Sequence, residues 1–223
     1  FNARVTVTDF SSAAASASTP ITVNVFVPNP VTVTFQDGVN AYAGTRDTHI
    51  KGGTTSTQNK NFNTATNVEI CGSPDTAALL KWDLSAIPAG STVQSVTLNL
   101  YITDASTQSF PLYDLKCDWV ENGATWKAFA TGSNWLVAGA AGALDRGATS
   151  LAALKVTPTG SQTTTLNAAG IAAVQNWINA PAANFGFIAQ NYTASTDAAK
   201  FSPRSHATVT RRPKITVIYL PAQ

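Results

Sequence analysis

The chain has 223 residues, a formal net charge of +2, two Cys and no Met, and only 12% of its residues are charged. A hydrophobic fraction of 44% excludes a disordered chain, and the low charge without a basic stripe excludes a nucleic-acid binder. The apolar runs are too short for a membrane-spanning helix, so membrane insertion is not expected. Thr, Ser, Asn and Ala take the place of the missing charges, the composition of a β-rich exported protein whose polar surface is hydroxyl and amide.

The start, Phe1-Asn2-Ala3-Arg4, is neither an initiator Met nor a signal peptide, which gives the expectation of an extracellular or cell-surface chain whose export signal has been removed. Residues 1–30 then read as a strand pair and linker. Arg4 to Thr8 and Ile21 to Val25 alternate with period two, an Ala/Ser tract separates them, and Pro28-Asn29-Pro30 breaks the chain. Two strands cannot bury a core alone. They are expected to pair with a main domain at 31–223, with a missing neighbour, or with another copy of the chain.

The main domain opens with Val31 to Phe35, alternating again. Lys51 to Asn67 is rich in Gly, Thr and Asn and reads as a long loop. Val93 to Ile102 and Lys214 to Tyr219 are strands with one buried face. Leu136 to Leu154, rich in Ala and Gly, is a second irregular excursion. Helical periodicity is confined to Asn167 to Asn179. There Ile171, Val174, Trp177 and Ile178 share a face, Asn167 can cap the start and Pro181 stops the helix. These elements predict an all-β sandwich with one short helix, long loops and an N-terminal two-strand appendage.

Catalytic constellations are missing. There is no GxSxG elbow and no HExxH, the only His are His49 and His206, and the only Glu are Glu69 and Glu121. His49 reads as a surface residue in a strand and His206 as a loop residue beside Arg204. Cys71 and Cys117 fit a disulfide in an oxidising compartment, the alternative being two separate thiols. No cofactor is required. Calcium is the candidate ion, because Asp37, Asn40 and Asp47 cluster within a Gly-rich opening; ordinary Asx turns account for the same residues. For sugars, Trp135 beside Tyr113 is the candidate stacking surface, while Trp82, Trp119 and Trp126 read as core. Lys60, Lys127, Arg146, Arg204, Arg211 and Arg212 are the cations available for an acidic glycan, and Arg211-Arg212 equally suits the guarding of a sheet edge.

Four stretches resemble a DNRLRE domain: Phe35-Gln36-Asp37-Gly38-Val39-Asn40-Ala41-Tyr42 with Gly44-Thr45-Arg46-Asp47-Thr48; Ala78 to Gly90 (ALLKWDLSAIPAG); Asp118 to Trp126 (DWVENGATW); and Arg212-Pro213-Lys214-Ile215-Thr216-Val217-Ile218-Tyr219. The first thirty residues resemble the last two strands of a bacterial immunoglobulin-like repeat. The DNRLRE resemblance implies a jelly-roll-like β-sandwich without catalysis, carried in extracellular proteins and, in some members, resembling carbohydrate-binding modules for acidic polysaccharides. The chain departs from that pattern in Phe201-Ser202-Pro203-Arg204-Ser205-His206, where Arg204 is kept but the following acid is replaced by Ser205. Two functions follow as expectations. One is a non-catalytic surface module that binds polysaccharide or mediates adhesion. The other is a structural subunit whose strand pair completes neighbouring copies in a filament by β-augmentation.

Overall fold

Thirteen strands and two helices follow in chain order in the structure, a computed structural model that describes residues 28–193 and 195–222. They are β1 (Val31–Gln36), β2 (Thr45–Lys51), α1 (Thr55–Gln58), β3 (Val68–Gly72), β4 (Asp75–Trp82), β5 (Thr92–Asp104), β6 (Phe110–Asp114), β7 (Ala128–Ala130), β8 (Ser133–Asn134), β9 (Ala152–Leu154), β10 (Gly160–Thr165), α2 (Ala168–Asn179), β11 (Phe187–Ala189), β12 (Ala199–Phe201) and β13 (Lys214–Leu220). The strand pair expected within residues 1–27 lies outside the described residues.

The strands form an antiparallel β-sandwich. The front sheet runs β1-β13-β5-β10. The back sheet runs β2-β4-β11-β6-β9. β3 makes a hairpin with β4 and also pairs with β12, which joins β5, so the two sheets are continuous along one side. Alternation along β5 sends Val96, Leu98, Leu100 and Ile102 inward, where they meet Ala78, Leu80, Trp82, Leu112 and Phe187 of the back sheet. α2 closes one end. Asn167 Oδ1 accepts the Gly170 amide at 3.0 Å as the N-cap, and Val174, Trp177 and Ile178 are buried on the helix face that was expected to be apolar. Trp177 meets Phe187 edge-on at 4.8 Å.

A second core lies behind the back sheet. Ala77, Leu79, Ile50 and Ile188 point away from the sandwich interior and are covered by Trp119, Trp126, Trp135 and Ala140 of the loops between β6 and β9. β4 is therefore buried on both faces, which explains its unbroken apolar run Ala77-Ala78-Leu79-Leu80. Burial of this third layer of Trp contributes to stability in proportion to the apolar surface it removes from water.

Two sequence expectations are corrected here. Cys71 and Cys117 are free thiols and form no disulfide. Cys71 is opposite Thr76 of β4, whereas Asp114 is level with Leu80 through Phe187, and Cys117 lies further along. Asp114 alone is roughly 13 Å along the strand direction from Cys71 at 3.3 Å per residue, well beyond the reach of a disulfide. His49, expected at the surface, is only 5% exposed. It stacks on Phe62 at 4.3 Å because the 52–67 loop folds over β2, and burial pushes its pKa down to about 4.

Candidate functional site

The residues singled out for sugar binding are dispersed. Trp135 is 4% exposed, packs on Phe129 at 5.6 Å and donates from Nε1 to the Thr125 carbonyl at 3.0 Å. It is a core residue, which corrects its reading as an exposed platform, and the other four Trp are buried as well. The face of Tyr113 is covered by the Arg146 guanidinium at 3.9 Å. Arg211 is exposed and lies over Tyr101 at 4.5 Å. Arg212 is spent on structure, its Nε donating to the His206 carbonyl at 2.8 Å and its Nη1 to the Asp37 carbonyl at 3.1 Å.

Arg204 is the centre of a charge cluster. Its Nε and Nη2 each donate to Glu121 at 2.6 Å, a bidentate pair. Nη1 reaches Asp37 at 3.4 Å, and the Arg204 amide donates to Asp47 at 2.5 Å. Glu121 reaches Arg204 from a different loop. Of the calcium candidates, Asp37 and Asp47 meet the side chain and the amide of Arg204. Asn40 stands exposed in the turn after β1. No group of three or more His, Cys, Asp or Glu suited to a metal ion occurs among the described residues. Desolvation, together with the nearby charges of Glu121 and Asp37, raises Asp47 from 3.8 to about 7 against the lowering effect of the Arg204 amide.

The cluster positions its neighbours. β2 is an edge strand, and two of its outward amides are tied down: Thr45 N–H donates to Asp37 at 2.9 Å and Asp47 N–H to Glu121 at 3.1 Å. Between them stands Arg46, exposed and without an ion-pair partner among the described residues. Arg46 is directly opposite Lys81 of β4, so the two cations leave the same face of the sheet. Like charges so placed repel. Asp118 relieves Lys81 at 2.9 Å, and Arg46 is left open.

Both cations line a cleft of about 320 Å³ with Thr45, Asp83, Ser85 and Asn184, floored by Leu84, Pro181 and Trp177. Gly44 lines it too, and a Cβ there would lie 2.8 Å from both Asp83 Cβ and Tyr42 Oη, so glycine keeps the mouth open. Thr45 is 2% exposed and its hydroxyl has no hydrogen-bond partner. Donors from Arg46 and Lys81 and acceptors from Asp83 converge on a volume in the range of small-ligand pockets. Sequence reasoning missed this site although both residues stand in stretches that carry the family resemblance, because Arg46 and Lys81 are 35 positions apart in the chain. Only the strand register brings them together.

Residues 39–130 match the family described as Carbohydrate-binding module family 96, less than half of the chain. The matched segment contains Gly44, Thr45, Arg46, Lys81, Asp83, Leu84 and Ser85 of the cleft. No curated protein matches the chain.

Proposed function

We propose that this chain is a non-catalytic polysaccharide-binding module of an exported protein, and that the Arg46–Lys81–Asp83 cleft holds the sugar. The observation that supports it is the position of this mixed donor and acceptor set within a segment similar to a carbohydrate-binding family. Neighbouring hydroxyls of a sugar ring each donate and accept, and a charged partner roughly doubles the strength of such a bond. Pro181 and Leu84 offer apolar surface to the C–H face of the ring. The unpaired guanidinium of Arg46 favours a chain carrying carboxylates, which it can grip bidentately. Bond cleavage is not part of the proposal, since both Glu are held by cations, Glu69 by Lys51 at 2.7 Å and Glu121 by Arg204.

The test is affinity electrophoresis through gels containing neutral or uronate-rich polysaccharides, comparing the chain with Arg46→Ala. The expected result is retardation by an acidic polymer that weakens about tenfold or more in the variant, the loss of one charge-assisted contact. Retardation by none of the polymers, or equal retardation of both proteins, overturns the reading.

A further inference from the structure

The charges around the Arg46 cleft are almost in balance, and one residue outside it sets that balance. Arg46 and Lys81 line the cleft as cations and Asp83 as an acid, so the lining by itself is cationic. Asp118 is not part of the lining, yet its Oδ1 accepts the Lys81 ammonium at 2.9 Å. With Asp118 in place, the two cations face two acids. Among the described residues no other carboxylate pairs with Lys81, and none pairs with Arg46.

The backbone that carries Asp118 is fixed. Trp119 beside it is fully buried and donates from Nε1 to the Phe185 carbonyl at 2.9 Å, and the Leu115 amide donates to the Gly186 carbonyl at 2.9 Å. The carboxylate itself faces water. The Asp118 side chain is 63% exposed against 17% for Lys81, whereas Glu121 in its pair with Arg204 is 16% exposed. A buried acid stripped of its cation is left stranded. An exposed one is solvated at once, so its ion pair is weak and easily exchanged. Lys81 keeps its packed stem in either case and can turn its flexible ammonium to another carboxylate.

We propose that Asp118 is a competing anion built into the site: it holds Lys81 while the cleft is empty, yields it to a carboxylate of the ligand, and so sets how strongly the module prefers acidic over neutral sugar. This rests on the reading of the Arg46 cleft as the sugar site. Asp118 acts through Lys81 and touches no ligand, which makes it a positioning residue.

The experiment is isothermal titration calorimetry of the full chain with tetragalacturonate, and with cellotetraose as the neutral probe. Asp118→Asn should bind tetragalacturonate about three- to fivefold more tightly than the parent, the size of one exposed ion pair. Asp118→Ser, which removes the charge in a different shape, should do the same. The gain should shrink as salt is raised, and the response to cellotetraose should be the same in parent and variants. In a Lys81→Met background, Asp118→Asn should change nothing, whereas a long-range charge effect would persist there. The proposal is overturned if parent and Asp118→Asn bind tetragalacturonate equally, if cellotetraose gains as much, or if the gain survives Lys81→Met. Binding that needs Arg46 but ignores Asp118 overturns this inference alone; binding of neither probe by any of the proteins overturns the reading of the cleft and this inference with it.

Discussion

Replacing Asp47 with Asn should reshape the pH dependence of stability in one direction. Asp47 is 2% exposed and titrates at about 7 in the fold against 3.8 for the ordinary side chain. The raised value means that the folded state favours the protonated acid. The stability it confers is full below about 4 and is lost as pH rises through about 7. At roughly 1.4 kcal/mol per pH unit, the loss across that window is about 4 kcal/mol. His49 runs the other way. Its value falls from 6.5 to about 4, so its stabilisation is present above 6.5 and lost as pH falls towards 4, about 3 kcal/mol on the same scale. The parent curve is therefore a near-cancellation, and only the difference between parent and Asp47→Asn isolates the acid. The Asn side-chain oxygen still accepts the Arg204 amide. Urea unfolding followed by Trp fluorescence, from about pH 4 to about pH 8, should show the variant gaining on the parent by several kcal/mol as pH rises. A flat difference curve refutes the reasoning, and so does a variant that loses ground at high pH.

Two further outcomes test the packing. Gly139 has φ +81° and a Cβ there would lie 2.5 Å from the Trp126 ring, so Gly139→Ala combines backbone strain with overpacking. It should cost about 2–4 kcal/mol in urea unfolding, and a cost below about 1 kcal/mol would show that the third layer is loosely packed. The thiols should titrate as two per chain in denaturant without reductant, as expected for free Cys71 and Cys117. In the native protein Cys117 should react slowly with a disulfide reagent at neutral pH, because burial and Asp145 push its thiol up. Finding no reactive thiol in unreduced, denatured protein would reinstate a disulfide.

The parts of the fold legible in the sequence are those with a local period. β1, β5 and β13 alternate over five or more residues, and α2 combines an Asn cap, an apolar face and a proline stop. β4 has no period to read, because both of its faces are buried and every residue from Thr76 to Leu80 faces protein. β11 and β12, three residues each, are set by the neighbours they join and not by propensity. The third layer was equally hidden. Trp135 reads the same in sequence whether it covers a sheet or meets solvent. The Ala- and Gly-rich run after it is the local clue, since small residues let a loop lie flat on Trp126. The Arg204 cluster was the least legible feature, its acids standing 83, 157 and 167 positions away in the chain.

That cluster also joins the Arg46 strand to the 202–207 loop. Asp37 and Glu121 hold the backbone on either side of Arg46, and the same two carboxylates hold the guanidinium of Arg204. Arg204 in turn anchors the loop that leads from β12 to β13. One ion-pair network therefore ties the strand that carries Arg46 to the loop that carries Arg204. Its guanidinium side chain is about one third exposed while Asp37 is nearly buried, so removing the cation would leave acids that cannot reach water fully. Loss of a partner from such a pair is far more costly than the pair is stabilising. The expected consequence of disrupting Arg204 is that the Arg46 cleft and the loop between β12 and β13 loosen together, while the sandwich core behind them keeps its packing.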